Sequence, residues 1–189
     1  EGIPISEPRG IYGDTDDDDN SGILRYVSIR HGGTNIGEGN EINGLTLGAV
    51  GCGTEIDYVE VAFNDDDGFE FFGGTVNASH VVLTGNADDS LDWTDGWTGA
   101  LQYLYVEQTD SADNVIEADN REGDENAQPR SNPTIANMTI IGNPDDIVDL
   151  NANLLPTADT SALNATQTWE AIDLTPGGIL TTTAEARVI

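Results

Sequence analysis

The sequence predicts an all-β chain wound as a right-handed parallel β-helix, a solenoid of about five coils with a C-terminal cap. Three observations carry that expectation. A motif recurs at a constant offset of 22, so that Val59-Glu60-Val61-Ala62-Phe63-Asn64-Asp65-Asp66-Asp67-Gly68-Phe69-Glu70-Phe71 lies over Val81-Val82-Leu83-Thr84-Gly85-Asn86-Ala87-Asp88-Asp89-Ser90-Leu91-Asp92-Trp93. Each copy holds two short β-rich segments joined by Gly, Asn and Asp at the corners, with nothing helical between them. A period near 22 is what one coil needs to return to its start one strand spacing higher, whereas a sandwich would alternate without side-chain columns in register. The right hand follows because parallel crossovers are nearly always right-handed.

Residues 1–22 read as an acidic lead-in. The coils follow over 23–50, 54–74, 76–98, 100–120 and 134–150, together the 23–150 body of the molecule. Arg25-Tyr26-Val27-Ser28-Ile29 matches Asp57-Tyr58-Val59-Glu60-Val61, and Asn43-Gly44-Leu45-Thr46-Leu47 fills the second-strand slot of the first coil. Leu101 to Val106 with Asp113 to Ala118 forms a weaker copy, and Ile135 to Ile140 with Asn143 to Leu150 the last. Two insertions interrupt the spacing: a glycine-rich one from His31 to Glu41, and a polar one from Arg121 to Pro133. Residues 151–189 lose the motif but keep Trp169, Ile172, Leu174 and Ile179. Since an uncovered solenoid end exposes unpaired strand edges, they are expected to form a cap, with an interdomain linker or flank as the alternative.

Composition narrows the function. The 189 residues include 35 Asp and Glu against six basic residues, all Arg, for a formal net charge of −29. Phosphate binding rests on a basic footprint, so nucleic-acid partners are excluded, as is binding to an anionic membrane. The absence of lysine removes Schiff-base chemistry and a Walker-type phosphate site. No apolar run approaches the ~20 residues of a membrane span, so no membrane insertion is expected. Cys52 is the single cysteine, which rules out an intrachain disulfide. A start at Glu1, with neither an initiator Met nor a signal-peptide pattern, points to a piece of something longer. Metal, carbohydrate and protein remain as partners.

Register turns the repeat into chemistry. If Phe69, Leu91 and Ile116 face the core with Phe71, Trp93 and Ala118, then Glu70, Asp92 and Glu117 face outward. The turns stack likewise: Asp66 over Asp88 over Asp113, and Asp67 over Asp89 over Asn114. Successive coils lie ~4.8 Å apart, where like charges repel by roughly 1 kcal/mol in water and several-fold more at lower effective dielectric. Of these nine positions eight are acidic, so they call for a hard cation, hydrogen bonds to backbone amides, or raised pKa values. All-oxygen donors without His or Cys favour calcium over zinc. A second candidate site begins at Asp17: Asp17, Asp19 and Ser21 followed by Gly22 give the first half of an EF-hand-like loop, although its twelfth position is Ser28 rather than Glu.

Enzymatic readings attach to the same corner. Asp67, Asp88 and Asp89 look like the acidic triad of polygalacturonase-type β-helix hydrolases, which resolve into an acid and a base. The Gly-His-Gly and Arg-x-Lys elements of that family are missing here. A lyase would need calcium with an Arg or Lys base, and Arg121 alone lies near the ladder, where a guanidinium is better suited to ion pairing. His31 and His80 fall in different segments, so no Ser-His-Asp arrangement is expected. Trp97 is expected to pack, although a corner tryptophan can also stack on a sugar. The run Ser21 to Gly33, then Gly39 to Gly48, Asp67 to Gly74 and Ile116 to Asn120, resembles a group of uncharacterised secreted or lipid-anchored β-helix proteins of marine and environmental bacteria. The resemblance spans roughly 2–150. It implies an extracellular or cell-surface setting on a bacterium and brings no established activity. The expected function is therefore a secreted calcium-binding β-helix, a structural or binding module whose partner is an extracellular protein or polysaccharide. The alternative is a polysaccharide hydrolase or lyase at the acidic corner.

Overall fold

A computed structural model describes residues 6–37, 41–121, 124, 126–142, 179–181 and 185–187. Within them the chain is built of strands, with a single 3-10 turn at Pro8–Gly10 and no α-helix. Five long strands, β1 (Ile23–Arg30), β3 (Glu55–Ala62), β5 (Asn77–Thr84), β7 (Ala100–Glu107) and β9 (Thr134–Ile141), alternate with four short ones. These are β2 (Leu45–Gly48), β4 (Phe69–Phe72), β6 (Leu91–Thr94) and β8 (Ile116–Ala118). The long strands pair in parallel in the order β1-β3-β5-β7-β9, and the short ones in the order β2-β4-β6-β8. The expected register holds residue by residue: Val59 pairs with Val81, Phe71 with Trp93, and Asp92 with Glu117. This is a parallel β-helix.

Each long strand is two short ones meeting at a bend. Tyr26, Tyr58, His80, Tyr103 and Asn137 occupy its fourth position with φ of 53°, 54°, 51°, 62° and 57°. A left-handed residue at that point turns the chain so that one coil presents three faces. The paired register skips this position in every pair of long strands. A non-glycine residue held there costs on the order of 1 kcal/mol. Ring stacking offsets part of that cost, because Tyr26, Tyr58, His80 and Tyr103 form a continuous ladder with centroid spacings of 4.9, 4.3 and 4.8 Å. His80 also meets Asp57, Nδ1 to Oδ1, at 2.8 Å.

The core is one apolar column through the coils, made of the inward residues of the paired strands. Phe69, Phe71, Leu91, Trp93, Val61, Leu83 and Val106 have no exposed surface. Trp97 lies in this core and not on a sugar-accessible face: its ring stacks on Phe71 at 3.8 Å, and its Nε1 donates to the Val76 carbonyl at 3.1 Å. His31 and His80 stand in separate ring stacks, His31 on Phe63 and His80 on Tyr58 and Tyr103.

The lead-in lies along the corner that follows the short strands. The Asp17 carbonyl accepts from Cys52 N and from Thr75 Oγ1, and Tyr12 meets Phe72 edge-on at 6.4 Å. Gly51 is required where it passes, since a Cβ there would lie 2.6 Å from Asp19 N. Beyond β9, β10 (Ile179–Thr181) and β11 (Glu185–Arg187) both pair antiparallel with it. The motif at Asn143 to Leu150 and most of the expected cap, Trp169 included, lie outside the described residues. Among the described residues no helix is long and apolar enough to cross a membrane.

Candidate metal centre

The acidic columns stand at the turn between the second half of each long strand and the short strand that follows. Asn64 sets this turn: its side-chain amide donates to the carbonyls of Ile42 and Asp67, each at 3.0 Å, while its backbone N–H donates to Asn86 Oδ1, its counterpart one coil on. Gly68 lets adjacent turns nest, because a Cβ there would lie 2.4 Å from Ser90 O. Two turn carboxylates cap the backbone of the next coil. Asp67 Oδ1 accepts from Asp89 N at 3.0 Å, and Asp89 Oδ1 accepts from Asn114 N at 2.7 Å.

Acidic side chains of several coils, Asp67 among them, converge on a pocket of about 200 Å³ lined by Glu41, Asn43, Asp66, Asp67, Glu70, Asp88, Asp92 and Glu117. Seven of these eight residues are acidic and none is basic. The end of the first insertion and the residues leading into β2 border it, since Glu41 and Asn43 lie there, with Asn43 Nδ2 donating to Glu70 Oε2. Glu70, which faces away from the core as alternation requires, is therefore 4% exposed instead of solvated. Asp92 Oδ1 has virtually no exposed surface and no hydrogen-bond partner.

Burial and mutual repulsion raise the pKa of four of these acids when no cation is bound. The Asp67 carboxyl is pushed up to about 10, chiefly by desolvation and then by the charges of Asp92, Asp89, Asp66 and Asp88. Asp89 rises to about 9 through burial and its hydrogen bond with Glu117. Asp92 stands well above the ordinary carboxylate range for want of water and because Glu70 and Glu117 crowd it. Desolvation also raises Asp88, followed by the charges of Asp113, Glu117 and Glu41.

Three groups bring ligand atoms within 4.8 Å of one another: Asp66, Asp67 and Asp88; Asp67, Glu70 and Asp92; and Asp88, Asp89 and Asp113. All donors are hard oxygens, the set suited to calcium or magnesium. These groups take in every candidate ligand of the ladder except Glu117, which lines the pocket beside them. Asp67 and Asp88 line that pocket together, but Asp89 is 2% exposed and turned to the backbone of the next coil, outside the lining. The loop at Asp17, Asp19 and Ser21 assembles no such group among the described residues: Ser21 Oγ donates to Asp19 Oδ2, while Asp17 lines a different cavity. Glu41 escapes sequence reasoning because it lies in the insertion, and Asn43 because it opens the first coil's second-strand slot without belonging to the acidic columns. Asn43-Gly44 at the start of that slot was the available signal.

The different cavity, about 530 Å³, follows the corner after the short strands, where Tyr12, Asp95, Arg121 and Pro129 meet a floor of Gly51, Gly73 and Gly74. Arg121 Nε donates to Asp95 Oδ1 at 2.8 Å, so the guanidinium is ion-paired. Tyr12 O–H donates to Asp95 Oδ2 at 3.3 Å, and desolvation, aided by Asp95, pushes its phenol up to about 12. Among the described residues the second insertion thus borders this cavity and not the acidic pocket.

Comparison with known proteins agrees with the fold. A family model described as a pectate-lyase-like beta helix domain matches residues 6–156, well over half of the chain. No curated protein and no solved structure matches it significantly.

Proposed function

The chain belongs to the pectate-lyase-like β-helix domain family, and on that footing we propose that it is a secreted, divalent-cation-binding β-helix, a structural or binding module stiffened by calcium. One observation carries the reading: an acidic pocket with seven carboxyl residues and no basic one, in which a buried Asp92 oxygen lacks any partner. A calcium ion there would replace the mutual repulsion by shared attraction, and because its ligands come from β4, β6 and their turns it would tie successive coils together. Millimolar extracellular calcium suits a weak, partly hydrated site.

The test is thermal unfolding of the chelator-stripped protein across a calcium series. Binding to the native state alone stabilises by about 2.7 kcal/mol at a hundredfold excess over Kd. The melting temperature is expected to climb with calcium and to stay flat with equal ionic strength of sodium chloride. A melting temperature indifferent to calcium would end this reading.

The second reading, a carbohydrate-active enzyme, draws support from the family description and from the open 530 Å³ cavity, which carries Tyr12, Asp95 and Arg121. A guanidinium already paired with Asp95 needs that partner removed before it can act as a base. Turnover of acidic or neutral polysaccharides that disappears in Arg121→Gln would favour it. No turnover with any of them would leave the module reading alone.

A further inference from the structure

Resting on the cation-binding reading of the acidic pocket, we propose that it takes two divalent cations bridged by the Asp67 carboxylate: an inner ion on Asp67, Glu70 and Asp92, and an outer ion on Asp66, Asp67 and Asp88. The two groups share Asp67 and no other residue. Their surroundings differ. The inner set is closed: Glu70 is 4% exposed and Asp67 8%, and Asp92 Oδ1, with no partner of its own, lines the same pocket. An ion on the outer three residues alone would leave that oxygen unsatisfied, and a buried acceptor without a partner costs ~1–3 kcal/mol. An ion on the inner set alone would leave Asp66 and Asp88, one coil apart, facing each other as like charges.

Asp67 is suited to bridging. Its Oδ1 already accepts the Asp89 N–H at 3.0 Å, which anchors the carboxylate and leaves Oδ2 free of that bond, and it alone contributes to both groups. Charge supports the count as well, since five carboxylates surround the two positions and a single divalent ion would leave most of that charge uncompensated. The inner position offers protein oxygens on a paired strand frame, with Glu70 held by Asn43, so its ion binds tightly and exchanges slowly. The outer position opens through exposed Asp88, so its ion keeps water ligands and exchanges readily.

Calcium binding to the full chain, stripped of metal and followed by isothermal titration and equilibrium dialysis, tests this. Two ions per chain are expected, one tight and one at least tenfold weaker. Asp88→Asn, at an exposed position, is expected to abolish the weak ion and spare the tight one. Asp92→Asn is expected to do the reverse, Asp67→Asn to lose both, and Asp113→Asn to change neither. Circular dichroism checks the fold of each variant. If Asp92→Asn or Asp67→Asn does not fold, the Asp88→Asn and Asp113→Asn pair decides alone. One ion per chain, or a stoichiometry unchanged by Asp88→Asn, overturns the bridged pair but leaves the cation-binding reading intact. Loss of the weak ion in Asp113→Asn overturns its placement. No calcium bound at all overturns both.

Discussion

Substituting Asp92 by Asn is expected to act in opposite directions with and without calcium. In the ion-free protein it removes a buried acid crowded by Glu70 and Glu117 and supplies an amide donor next to Glu70, so stability should rise by about 1 kcal/mol. In saturating calcium the same change removes a ligand, so the melting temperature should fall below that of the parent protein. Calorimetry in chelator and in calcium reads both signs. The pH dependence of the ion-free protein follows from Asp67. Its folded pKa of about 10 lies far above the unfolded carboxyl near 4, so the native state holds a proton that the unfolded chain releases. The contribution is fully present below about pH 4 and is lost progressively as pH rises toward the folded value. Ion-free protein should therefore melt higher at pH 5 than at pH 8, and calcium, which needs the ionised carboxylates, should narrow or invert that difference. A melting temperature that rises between those two pH values in chelator would contradict the buried state of these acids.

Among the elements, the bent long strands depend on their ring ladder. Tyr58 is stacked on both faces, by Tyr26 at 4.9 Å and His80 at 4.3 Å, whereas Tyr26 is 77% exposed and has one ring neighbour. Each ring pair contributes about 0.5–1.5 kcal/mol, and alanine would still occupy the left-handed conformation. Tyr58→Ala should therefore cost roughly 1–3 kcal/mol, and Tyr26→Ala about half as much, as read by urea unfolding. Equal losses at the two sites would show that stacking does not set the cost. The ladder was present in the sequence as Tyr26, Tyr58, His80 and Tyr103 in matching repeat positions. What hid it was the bend: residues inside a β-rich run read as alternating strand, and nothing local marks the fourth position as left-handed, since Tyr and His do so far less readily than Gly or Asn. The turn columns were more legible, because Asn64 and Asn86, like Asp67 and Asp89, are residues that cap backbone groups.

For the whole molecule, net charge dominates. At −29 over 189 residues the folded state concentrates repulsion that the unfolded chain spreads out, and the Debye length falls from about 30 Å at 0.01 M salt to about 3 Å at 1 M. The ion-free protein should accordingly gain several degrees in melting temperature over that range of sodium chloride. Calcium should act at far lower concentration, and only while the pocket ligands are intact. A response to calcium no larger than to sodium at equal ionic strength would mean screening alone. The sequence by itself determined the parallel β-helix, its register and the stacked acidic columns, because a solenoid repeats local contacts at a fixed offset and each residue's neighbour above and below can be read from the repeat. It also determined that the ladder has no lysine to neutralise it. Only the tertiary structure decided which carboxylates lose water. Glu41 of the first insertion comes to line the pocket and Asn43 to bond Glu70, Asp89 turns to a backbone amide and leaves the pocket, and Arg121 is taken up by Asp95 on another corner. Those outcomes depend on where non-repeating loops lie across the coils, and loop placement is set by long-range packing that no periodicity encodes.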